Sequence, residues 1–132
     1  MRVYLIGPMG NKKDLGYSEF DRVKAKLQVE HPDWTIISPA DEDRNLGMSP
    51  EKYESQNESE RKEFLHNVII FDLGLVSRCD AVYHIKGWRD SLGFCWVEHW
   101  YSKRMGKTMI FELEKDLEEY NSHGFRGDLT NG

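Results

Sequence analysis

This chain is poor in cysteine and proline, with two and four respectively, and it has no long apolar run. Cys79 and Cys95 lack the spacing of a zinc site and read as free thiols in a reducing cytoplasm. The apolar run near the start, Val3 to Ile6, is too short for a signal peptide or a membrane span. Acidic residues outnumber basic ones, for a formal net charge of −5. That balance argues against a general nucleic-acid binder, which needs a basic patch. The expected setting is cytoplasmic, with no membrane partner and no stable nucleic-acid partner. Several motifs are missing as well. There is no G-x-x-x-x-G-K-[ST] phosphate loop, no G-x-G-x-x-G after the first strand and no G-x-S-x-G nucleophile elbow.

The 132 residues, 39% hydrophobic and 31% charged, suit one soluble globular domain. Arg2–Ile6, Trp34–Ser38, Ala81–Ile85 and Thr108–Phe111 read as strands. A helix is expected from Ser18, a plausible N-cap, with Phe20, Val23 and Leu27 as its buried stripe. A second, Ser59–Ser77, carries Phe64, Leu65, Val68, Ile69, Leu75 and Val76. A third ends near Met105, before Gly106. Strands alternating with helices predict a parallel α/β sheet of four or five strands. Asp41–Glu60 is polar and charged, and reads as a surface insertion; the sharper alternative is a lid. Ser49-Pro50-Glu51 within it resembles a helix start. Asn121–Gly132 reads as a frayed tail or a subunit contact.

The stretch Cys79 to Phe111 reads as strand, loop, helix, turn and strand, and its loop falls where open α/β sheets bind ligands. Asp72 lies inside the apolar stripe of the second helix, a costly place for an unpartnered carboxylate. Asp72, Asp90 and Glu98, with Tyr4, Trp88 and Tyr101, suit a small polar ligand bearing a ring. Paired carboxylates can divide the work, one as nucleophile and one as acid, as in glycosidic-bond cleavage. His66, His84 and His99 show no metal spacing and read as core or surface residues.

Met1–Met9, MRVYLIGPM, resembles the opening of the small phage and bacterial proteins related to nucleoside 2-deoxyribosyltransferases. Asp72-Leu73, Cys79-Asp80-Ala81-Val82, Gly87-Trp88, Asp90-Ser91, Gly93, Glu98-His99 and Gly106-Lys107 are similar to their second half. The likeness covers most of the chain outside 41–60 and the tail. It implies a flavodoxin-like doubly wound fold in a homo-oligomer, here expected to be a homodimer or larger. It implies cleavage or transfer at the N-glycosidic bond of a 2′-deoxynucleoside or its 5′-monophosphate, with no metal or organic cofactor. Glu98 matches the nucleophile, Asp72 the residue that positions the sugar or protonates the base, and Tyr4 the tyrosine that steadies the nucleophile. Gly7, Pro8, Met9 and Gly10 match the loop that wraps a 5′-phosphate, with Lys12 and Lys13 beside it. Trp88, Asp90, Ser91 and Gly93 complete the expected substrate contacts. The glycine turn and the lysines favour the monophosphate. Against the pattern, the Ser91–Glu98 gap is one residue longer, Pro8 stands in place of a serine, and 41–60 has no counterpart. A catalytically idle nucleotide-binding protein, a sensor or sponge, is the alternative.

Overall fold

Val3 to Ile6 are all fully buried, as a strand covered on both faces must be. They belong to β1 (Arg2–Ile6) in a computed structural model that describes residues 1–9, 13–90 and 93–123. β1 pairs in parallel with β2 (Thr35–Ile37) on one side and β3 (Ala81–His84) on the other; β4 (Thr108–Phe111) pairs in parallel with β3. The order is β2-β1-β3-β4, a flavodoxin-like doubly wound sheet in a single α/β domain. Because the chain reverses direction across the sheet after β2, the switch point lies between the carboxyl ends of β1 and β3.

The pleat sends alternate residues to opposite faces. Val3, Leu5, Ala81 and Tyr83 pack with Ile36 and with Phe20, Val23 and Leu27 of α1 (Tyr17–Glu30). Tyr4, Ile6 and Val82 face the other way, with Val76 of α4 (Glu58–Ser77) and Cys95 of α5 (Phe94–Arg104). α6 (Glu114–His123) closes the β4 side through Leu117 and Tyr120, so the helix runs into the segment expected to be tail. Among the described residues, no helix is long and apolar enough to cross a membrane.

Two departures from the sequence reading have local causes. Segment 41–60 is built into the domain. It contributes most of α2 (Pro39–Asn45) and all of α3 (Pro50–Ser55); Asp43 and Met48 are buried, and Tyr53 packs edge-on against Phe64. The Ser49 cap does form, accepting from the Lys52 amide, and an Asn57–Glu60 capping box starts α4. The other departure is the start of α1. Ser18 is inside the helix, and Gly16 caps it in a left-handed conformation at φ +75°, after Leu15 at φ +58°. A Cβ on Gly16 would collide with the Pro8 carbonyl oxygen. Gly16→Ala is therefore expected to cost roughly 2 kcal/mol or more, from the left-handed backbone plus the collision. Urea unfolding checks this, and a neutral result would show that the turn can reshape.

Candidate active site

Helical spacing delivers both carboxylates to one place. On α4, Val68, Asp72 and Val76 succeed one another at four-residue intervals, and all are buried. On α5, Cys95, Glu98, His99 and Ser102 form the buried stripe. α4 and α5 pack together on the Tyr4 face of the sheet. Tyr4 meets both acids. Its hydroxyl donates to Glu98 Oε2, and the Asp72 carboxyl lies near enough to act on it electrostatically.

A phenol has one proton. It is given to Glu98, which favours the ionised form of that carboxyl. Burial and mutual repulsion keep the two carboxyls from both ionising near neutrality. Burial first, then the Asp72 charge, pushes Glu98 well above the ordinary carboxylate range, against the Tyr4 hydrogen bond. Burial, then Asp43, raises Asp72 to about 7. Asp72 Oδ1 is buried without a hydrogen-bond partner among the described residues. Tyr4 itself is pushed far up by burial and by both carboxylates, so it stays a phenol.

A third carboxyl extends the row. Asp43 on α2 is 1% exposed and accepts from Tyr17 Oη at 3.0 Å. Burial raises it to about 6, with Tyr17 and Arg44 opposing. Sequence reading missed Asp43 because the polarity of 41–60 suggests a solvated surface. The signal that could have found it is the Ser38-Pro39 helix start, which places Asp43 in the second turn.

Behind Glu98 stands a hydrogen-bonded histidine pair. His84 Nδ1 lies 2.8 Å from the Ile110 carbonyl, which can only accept, so Nδ1 carries the hydrogen. His84 Nε2 then accepts from His99 Nδ1 at 2.8 Å. Burial, then His99, lowers His84 to about 3. Trp88 and Phe111 pack against His84, and Trp88 and Tyr120 against His99. The pair ties α5 to β3 and β4, and so fixes the residue next to Glu98.

The other expected contacts are more scattered. Gly7 and Pro8 line a cleft of about 340 Å³ with Gly16, Glu19, Phe20, Ile85, Lys86 and Gly87, at the switch point on the α1 side. A Cβ on Gly7 would lie 3.1 Å from Ile85 Cδ1, a tight contact. Met9 packs on the α1-side core. Trp88 is fully buried and serves as a wall of the aromatic cluster. Asp90 is exposed and lines a different cleft, with Arg89, Trp96 and Lys115. Gly93, at φ +124°, precedes α5. Gly10, Lys12 and Ser91 lie outside the described residues. Among the described residues, no group of three or more His, Cys, Asp or Glu is arranged to hold a metal ion. The chain matches no protein-family model, no curated protein and no solved structure.

Proposed function

We propose that this protein cleaves or transfers the N-glycosidic bond of a 2′-deoxynucleoside or its 5′-monophosphate, as its resemblance to the nucleoside 2-deoxyribosyltransferases implies. The observation that supports it best is the buried Tyr4 hydroxyl that donates to Glu98, with the Asp72 carboxyl beside it. Glu98 attacks C1′ as the C1′–N bond breaks, and the leaving base takes the Asp72 proton. The glycosyl ester on Glu98 is then opened at C1′ by water, whose proton returns to Asp72, or by a second base. The transition state is oxocarbenium-like and needs a buried anion beside it, which Glu98 supplies. No cofactor enters the scheme.

Incubation with the four deoxynucleosides and their 5′-monophosphates, with chromatography for free base, tests the reading. Base release, or base exchange when a second base is added, supports it. A second reading draws on the same burial. Glu98 is 5% and Asp72 4% exposed, and so closed a pair also suits a protein that binds a nucleotide without turnover. Binding with no base release in the panel would select that reading.

Self-association is part of the proposal. Ile70 and Phe71 on α4 and Phe94 and Val97 on α5 are 39–60% exposed, and they flank Asp72 and Glu98 in the chain. An apolar surface of this kind marks an interface. The expected result in light scattering at micromolar concentration is a homodimer or larger, which Phe71→Glu with Val97→Glu converts to monomer. A monomeric mass for the unaltered chain rejects it.

A further inference from the structure

Asp43 and Glu98 are each held by a phenol from another element. Tyr4 on β1 donates to Glu98 on α5, and Tyr17 on α1 donates to Asp43 on α2 at 3.0 Å. Such a hydrogen bond favours the ionised form of the acid that accepts it. Asp72 on α4, the remaining buried aspartate of the row, keeps Oδ1 without a hydrogen-bond partner among the described residues.

Asp43 lies in 41–60, which has no counterpart in the pattern the sequence resembles, so the likeness gives it no role. Its position is costly. The residue is 1% exposed, and among the described residues no lysine or arginine forms an ion pair with it. Arg44, next in the chain, bonds Asp21 and Asp41 and lies over the Tyr17 ring, 4.9 Å from its centroid. A buried carboxyl left with a phenol alone works against the fold. The backbone nevertheless fixes it there: Pro39 starts α2 after Ser38, and the Asp43 carbonyl accepts from the Leu46 and Met48 amides.

Asp43 faces Tyr17 from α1 and Arg44 and Glu42 from α2; burial raises it to about 6. Asp72 faces Tyr4 from β1, Asp43 and Glu42 from α2, and Glu98 from α5; burial and then Asp43 raise it to about 7. Asp43 therefore ionises first as the pH rises. Its charge then opposes that of Asp72 across an interior with little water to screen it.

We propose that Asp43 is a positioning residue for the reaction: held by Tyr17, it sets a buried negative charge against Asp72 and so keeps on Asp72 the proton that the leaving base takes. This rests on the N-glycosidic reading above. Asp43 acts through Asp72 and gives 41–60 a part in the site.

The test is read without turnover. Carbon NMR of the side-chain carboxyls, in a Glu98→Gln background, follows the Asp72 midpoint, with Asp72→Asn identifying its signal. Removing Glu98 leaves a titration that belongs to Asp72 and not to the pair. Asp43→Asn keeps an acceptor for Tyr17 and loses the charge. It is expected to lower the Asp72 midpoint by about half a pH unit or more, threefold in acidity constant. Tyr17→Phe takes the donor from Asp43 and leaves it less ionised at a given pH. It is expected to move the midpoint the same way, and it provides the readout if the asparagine variant does not fold. A midpoint unmoved by both variants, or raised, overturns the proposal. With Glu98 restored, the alkaline limb of base release should move toward acid by the same amount in Asp43→Asn. A rate lowered equally at every pH, or an alkaline limb that stays in place, also overturns the proposal and makes Asp43 structural. A moved midpoint with no base release from the unaltered chain rejects the N-glycosidic reading and leaves the hold of Asp43 on the Asp72 proton standing.

Discussion

Glu98→Gln is expected to remove base release while leaving the fold in place. The amide retains an oxygen for the Tyr4 hydroxyl, which donates to Glu98 in the native chain, so the hydrogen bond between β1 and α5 survives. Glutamine is also neutral. It relieves the repulsion between Glu98 and Asp72 that helps to push the native glutamate up. What is lost is the nucleophile, together with the negative charge beside the developing oxocarbenium ion. Loss of both is worth on the order of several kcal/mol of barrier, or about a thousandfold or more in kcat. The measurement is single-turnover base release, with circular dichroism and melting temperature as the folding control. Tyr4→Phe provides a graded comparison: it keeps the carboxylate but removes the donor, and should cost about ten- to a hundredfold. A folded Glu98→Gln protein with unchanged rate would end the assignment.

The frame of the fold was legible because its strands are short, continuous and apolar. β4 falls where Thr108–Phe111 was expected, and Val3–Ile6 announces a strand buried on both faces. The Asp72 argument also needed only one helix. A carboxylate in register with Val68 and Val76 calls for polar company, and Tyr4 and Asp43 lie near it. Contacts between elements distant in sequence were not legible. Asp43 depends on a tyrosine 26 residues upstream, and the His84–His99 bond joins a strand to a helix across 15 residues. Periodicity reports which face of an element is buried, not what lies opposite it. Ser18 failed as a cap for a related reason. Its residue type is right for the position, but the Asp14 carboxylate accepts from the Gly16 and Ser18 amides first, through a left-handed turn that no preference scale for Leu15 would anticipate.

Asp72→Asn separates catalysis from stability by the sign of its pH dependence. The native carboxyl titrates near 7, because burial and then Asp43 raise it, whereas an unfolded aspartate titrates near ~3.9. A group raised on folding favours the fold most below its unfolded value, where it is protonated in both states. That contribution is lost as the pH climbs from about 4 through about 7. The native protein therefore carries a destabilising term above neutrality that asparagine, neutral at every pH, does not. The melting temperature of Asp72→Asn relative to the native chain should rise between pH 4 and pH 8, by the equivalent of up to a few kcal/mol. His84, lowered to about 3, imposes the opposite slope in acid, but it is present in both proteins and cancels in the difference. Over the same range the variant should lose about a hundredfold or more in base release, because the leaving base has lost its proton donor. More stability with less activity is the mark of a group held in an unfavourable environment for its chemistry. If the variant instead loses stability as pH rises and keeps its rate, Asp72 is an ionised structural residue, and the proton assigned to it belongs elsewhere.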